Sequence, residues 1–255
     1  MGAALAVETL KLRKATAARV AAVAVVVVAP AMSAGFLAAA RSDIDGPLAA
    51  KIAPMLQGTG WTGLMGFVGQ ILSIGMLLAV GVVVSWSFGR EFTDGTFGSL
   101  FALPTPRRDV ATAKIVVLVH WGLDVAVAAV ALTLVLGMAT GLGLPDAAAW
   151  SGAGKALVIA VLSVLLAIPL AWFASVFRGY LPAIAALLGT IMVTQVVTIA
   201  GVGAWFPYSA PGMWSGMGGL ELAETVTPVQ LLLAVPVAVV GAAATVWWWD
   251  RAEVV

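Results

Sequence analysis

The sequence predicts an all-α integral membrane protein that crosses the bilayer six times. Three observations carry that reading. Hydrophobic residues fill 62% of the 255 positions and charged residues only 10%. A soluble domain carries roughly 25% charged residues, so this chain has too few to clothe a water-facing surface. The apolar residues gather into six runs near the roughly 20 residues that a helix needs to cross hydrocarbon. A lone strand would leave its backbone unsatisfied there, so each run is read as a helix. There is no cysteine, which removes disulfides, thiolate metal sites and cysteine nucleophiles. A net charge of +1 gives no reason to expect nucleic acid as a partner.

In chain order the spans are 20–40, 64–86, 115–137, 156–175, 181–203 and 229–248, and residues 1–255 read as one transmembrane domain. Pro30, Pro169 and Pro236 fall inside spans one, four and six, where proline is tolerated and bends the helix. Orientation follows the lysines and arginines. With the N-terminus inside, Lys11, Arg13, Lys14, Arg19, Arg90, Arg107, Arg108, Lys114, Arg178 and Arg251 are cytoplasmic, against Arg41, Lys51 and Lys155 outside. That ten-to-three split places both termini in the cytoplasm. Trp61, Trp150, Trp205 and Trp214 would mark the outer interface, and Trp86, Trp172 and Trp247 to Trp249 the inner one. The basic start, apolar run and Ala38-Ala39-Ala40 also fit a cleaved signal peptide, but the run exceeds a signal core.

The connecting segments are unequal. Outside, 41–63 and 204–228 are rich in Gly, Pro and Trp and suit interfacial turns and short helices. Inside, Arg178-Gly179-Tyr180 is a tight link. The pair Gly137 and Gly141 matches GxxxG at a span end, a weak match in a glycine-rich chain. The informative segment is 89–114. It predicts two short helices. The first begins at Thr93 or Asp94, both good N-caps, and puts Phe97, Leu100 and Phe101 on one apolar face. Leu103-Pro104 ends it, because the residue before proline leaves the helical region. Thr105 caps a second helix with Pro106 at its first position, and that helix runs through Lys114 into span three. An amphipathic helix held between spans either lies on the membrane or docks in a groove on a partner. Glu91, disfavoured at a helix C-terminus, calls for a cation such as Arg90, Arg107 or a group on another protein.

Inside the membrane, His120 and Asp124 are four apart and share a face of span three. A carboxylate there costs roughly 2.5–3.5 kcal/mol on insertion scales and must face protein or water. The pair can relay protons, meet a cationic substrate, or hold the bundle together through a hydrogen bond to Asp124. Thr190, Thr194 and Thr198 line one face of span five with Gln195 beside them, and span two carries Gly66, Gln70 and Ser73. Such residues usually mark helix–helix contact, with a path-lining role as the alternative. Lys155 is expected to snorkel at the outer interface. No GxxxxGK[ST] loop, zinc motif or GxSxG elbow is present. A single histidine leaves few catalytic sets, so an intramembrane enzyme is disfavoured.

Arg90-Glu91-Phe92, Gly95-Thr96, Leu103-Pro104, Arg107 and Ala113-Lys114 together resemble the cytoplasmic segment of ABC type-2 transporter permeases, whose pattern runs R-E-F-x-x-G-T, L-P, R and A-K. Glu8-Thr-Leu-Lys-Leu-Arg13 resembles the amphipathic helix before that family's first span, and Trp205-Phe-Pro-Tyr-Ser-Ala-Pro-Gly212 the loop before its last. The resemblance implies a multi-pass permease of a prokaryotic inner membrane that exports an amphiphile such as a drug, antimicrobial peptide or lipid. It implies two copies of a cytoplasmic ATPase subunit, which carry ATP and magnesium, and a second permease subunit, identical or homologous. No catalytic residue or cofactor is then expected on this chain. The segment 89–114 would be the coupling helix, with Arg90, Glu91, Gly95, Thr96, Phe97, Leu100, Phe101, Pro104, Arg107 and Lys114 meeting the ATPase. The alternative is an ion-coupled secondary transporter using His120 and Asp124, although no inverted repeat is visible.

Overall fold

A computed structural model describes residues 1–42, 58–102 and 104–253. Lys51, Leu103 and most of the expected outer loop 41–63 lie outside them. Among the described residues six helices are long and apolar enough to span a membrane: Thr16–Arg41, Gly60–Thr93, Arg107–Leu142, Ala147–Val176, Tyr180–Ile199 and Pro228–Arg251. We call them spans one to six. Each covers the bulk of its expected window, and the described residues contain no strand. An N-terminal helix, Gly2–Lys14, precedes span one and buries Ala4, Glu8 and Leu12. An extended Ala15 (φ −69°, ψ 121°) makes the elbow between them.

Spans two and three are longer than expected, at 34 and 36 residues. At 1.5 Å per residue they measure about 50 Å, against about 30 Å of hydrocarbon. They therefore continue past the bilayer, and residues expected in the cytoplasmic segment, 89–93 and 107–114, are their ends. Span five is shorter than expected, because Gly201 (φ 76°) turns the chain away after Ile199.

The three prolines mark three irregularities. Proline cannot donate its missing N–H and clashes with the carbonyl four residues back. The helix widens to a π turn at Ala24–Val28 just before Pro30, breaks at Ile168 and Pro169, and breaks at Leu233 before Pro236.

Span two is the axis of the molecule, with Leu64, Val68, Leu72, Met76, Val80, Val84 and Phe88 buried along its length. It packs against spans three, four and five. Span five is its opposite: only Ala183 and Leu187 are buried. Two glycines let these helices approach closely. A Cβ on Gly81 would lie 2.8 Å from Leu187, and one on Gly89 only 2.2 Å from the Tyr180 nitrogen in the tight link. In that link Arg178 takes the left-handed conformation (φ 51°). The segment between spans five and six forms the expected short helices, Gly203–Trp205, Ala210–Trp214 and Leu220–Glu224. The second of these tucks Ala210 and Met213 against the body.

Candidate functional site: the anchored segment between spans two and three

The segment between spans two and three differs from the two-helix expectation. No α-helix begins at Thr93 or Asp94. Thr93 closes span two, and Asp94 is its C-cap, donating its N–H to the Arg90 carbonyl at 2.8 Å. Nothing between Trp86 and Thr93 breaks the helix. The first residue to do so is Gly95, at φ 68°, the left-handed position where glycine is favoured after a helix. The Phe97 N–H then returns to the Glu91 carbonyl at 2.8 Å. A five-residue 3₁₀ helix, Gly98–Ala102, follows. Pro106, not Thr105, is the N-cap of span three, and Arg107 its first residue.

Glu91 meets a different cation from those expected. Lys114 Nζ donates to Glu91 Oε1 at 2.8 Å, to Glu8 Oε2 at 2.8 Å and to the Ser87 carbonyl at 3.2 Å. Lys11 Nζ donates to Glu8 Oε1 at 2.9 Å and to Glu91 Oε1 at 3.2 Å. The Thr96 hydroxyl donates to Glu91 Oε2 at 2.5 Å. Glu8, Glu91 and Lys114 are buried. Two cations balance two anions, and all three donors of Lys114 are used, which a buried charge requires. Burial pulls the Lys11 ammonium down, but Glu8 and Glu91 outweigh it and hold its pKa above the usual lysine value. The cluster joins the N-terminal helix, the end of span two and the start of span three. Arg90 instead pairs with Asp94 at 3.4 Å and lies 4.6 Å over the Trp86 ring. Arg107 donates to the carbonyls of Asp250, at 2.9 Å, and Ala252, while its guanidinium stacks 4.0 Å over Phe101.

An aromatic dock adjoins the cluster. Phe97 stacks on Phe92 at 4.5 Å and meets Trp249 edge-on at 5.3 Å. Trp249 is fully buried against Phe88 at 5.5 Å and donates its Nε1–H to Ser175 Oγ at 2.8 Å. So Trp249 is a core residue, not an interfacial anchor, and Trp61 is likewise buried; Trp247 is exposed as expected. The predicted shared face of Phe97, Leu100 and Phe101 also splits. Phe97 and Leu100 are 8% and 7% exposed, Phe101 43%. The tight 3₁₀ turn carries both inward, Phe97 against Trp248 and Trp249. What faces outward is Asp94, Gly95, Thr96, Ser99, Phe101 and Pro104.

The intramembrane candidates divide into two places. Thr194, Gln195 and Thr198 meet Ser73 and Tyr208 around a cavity of about 430 Å³ between spans two and five. Burial pushes the Tyr208 phenol up to about 12, so it stays neutral. The Thr190, Thr194 and Thr198 hydroxyls each donate to the carbonyl four residues back, at 2.8 Å. Gln70 is buried in span two and does not line this cavity. His120 and Asp124 lie in a separate groove and are exposed. Among the described residues neither has a hydrogen-bond or ion-pair partner. Lys155 turns toward Trp214, 5.1 Å from its ring.

Sequence reasoning missed Glu8 and Lys11 as members of the cluster. Their spacing, two opposite charges three apart, is equally that of a pair on a solvated helix face, so it did not mark them.

A family model described as ABC-2 family transporter protein matches residues 4–201. The chain is also similar to the bacitracin transport permease protein BCRB of Bacillus licheniformis, at 27% identity over 185 residues, covering 72% of this chain and 88% of that protein. No solved structure matches.

Proposed function

The chain belongs to the ABC-2 transporter family, and from that premise we propose that this membrane subunit couples ATP hydrolysis on a separate cytoplasmic ATPase to export of an amphiphile. The observation that carries the reading is the anchoring of the segment between spans two and three. Glu91 and Lys114 tie it to the N-terminal helix, and Phe97 and Arg107 tie it to the end of span six. A push on its outward strip, Asp94 to Pro104, would therefore reach four elements at once. Such an outward strip is what an ATPase subunit needs to grip. In this reading two ATPase copies supply ATP and magnesium chemistry, and both termini of the permease lie in the cytoplasm of a prokaryotic cell.

A second permease subunit, identical or homologous, would cover the exposed face of span five, and the cavity around Ser73, Thr194 and Thr198 would open onto the path between them. The cargo class follows the relative, whose name assigns it bacitracin transport; we extend that only to amphiphiles of the drug, peptide or lipid kind. The ion-coupled alternative rests on His120 and Asp124, which stand apart from that cavity. Purification in mild detergent should bring down an ATPase subunit whose hydrolysis rises with cargo. Recovery of the permease alone, or transport sustained by a proton gradient without ATP, would refute the proposal.

A further inference from the structure

We propose that the groove between the N-terminal helix, span one and span three binds an anionic phospholipid of the leaflet on the N-terminal side. The groove holds about 510 Å³, within the roughly 300–1,000 Å³ of ligand sites. Its walls are apolar, from Leu12, Ala18, Ala22, Val116 and Trp121. Arg13 reaches it from the N-terminal helix and Arg19 from span one, because the elbow at Ala15 turns the two helices toward one another.

These arginines differ from the cations beside them. Lys11 and Lys114 are matched by Glu8 and Glu91. Among the described residues neither Arg13 nor Arg19 has an ion-pair partner, and the only hydrogen bond of the Arg19 guanidinium goes to the Lys14 carbonyl at 2.8 Å. Two unmatched guanidiniums at the foot of a membrane span, above an apolar wall open to the outside of the bundle, fit a phosphodiester with acyl chains below it. Guanidinium matches phosphate in a two-pronged geometry, and basic pockets at this level attract anionic headgroups.

The remaining ionisable groups in the groove are His120 and Asp124. The groove sets two arginines against one aspartate. Asp124 opposes the phosphate, so its removal should strengthen binding. A lipid seated here also braces the N-terminal helix on span three, next to Glu8 and Lys11.

The test is native mass spectrometry of the full chain, with any subunits that accompany it, titrated with phosphatidylglycerol and with phosphatidylcholine. Phosphatidylglycerol should be retained in preference. Arg13→Gln with Arg19→Gln should lower its retention roughly thirtyfold, as expected for two interfacial arginines. Asp124→Asn should raise retention, an effect that misfolding does not mimic. Equal retention of the two lipids, or displacement of phosphatidylglycerol by inorganic phosphate at matched concentration, would overturn the assignment. So would retention unchanged in the arginine variant. If that variant fails to fold, Asp124→Asn decides, and no gain in retention overturns the proposal.

Discussion

Lys114 spends its three donors on Glu8, Glu91 and the Ser87 carbonyl, so removing it strands two carboxylates around the single remaining Lys11. Breaking a buried pair from one side typically costs about 3–5 kcal/mol, whereas removing both partners costs far less. Lys114→Met should therefore lower the thermal midpoint in detergent strongly, and adding Glu91→Gln should recover part of the loss. Strictly additive losses would show that the two residues do not share one network. Arg90→Ala is the contrast. Its i,i+4 pair with the half-exposed Asp94 is worth well under about 1 kcal/mol, and the midpoint should barely move. Because the Lys11 pKa is raised in the fold, its contribution is complete below the usual lysine value. It fades as pH climbs from the usual value to the raised one and is gone above that, so neutral pH leaves the cluster intact.

Among the elements, the segment between spans two and three has a buried and an exposed half, and substitutions should separate them. Phe97→Asp puts a charge among Phe92, Trp248 and Trp249 and should reduce folded yield, measured by size-exclusion recovery. Phe101→Asp touches the exposed half. It should leave yield unchanged and weaken the coupling of ATPase turnover to transport in reconstituted vesicles; unaltered coupling would remove Phe101 from the ATPase contact. Gly89 tests helix packing instead of coupling. An added Cβ would meet the Tyr180 backbone, which cannot rotate away as a side chain does. Gly89→Ala should therefore push the link between spans four and five off span two and lower the thermal midpoint, while Gly95→Ala strains only the left-handed cap.

At the scale of the whole molecule, orientation is the property to fix, and the absence of cysteine makes it accessible. Single cysteines at Ala3 and Ser99, on the side carrying most of the basic residues, should stay unlabelled by a membrane-impermeant maleimide in intact cells. A cysteine at Leu144, 84% exposed between spans three and four, should label at once. The reverse pattern would invert the whole arrangement.

Six spans, their order and their proline breaks were legible in the sequence. They follow from hydrocarbon thickness, backbone satisfaction and the missing proline N–H, all of which act locally along the chain. The R-E-F-x-x-G-T pattern was legible too, but only as a pattern. Glu91 finds Lys114 23 positions on and Glu8 83 positions back through that same lysine, and Phe97 finds Trp249. No local periodicity carries such pairings. The amphipathic spacing of Phe97, Leu100 and Phe101 was equally compatible with lipid, partner or self. Only the tertiary structure decided that the first two are buried in the chain itself, because the unbroken end of span two delivers Phe97 to the tryptophans of span six and Leu100 follows it inward. Composition determined that the protein lives in a membrane; the meeting of three chain segments at one buried cluster, with span six at the aromatic dock beside it, decided which part of it is left free to touch a partner.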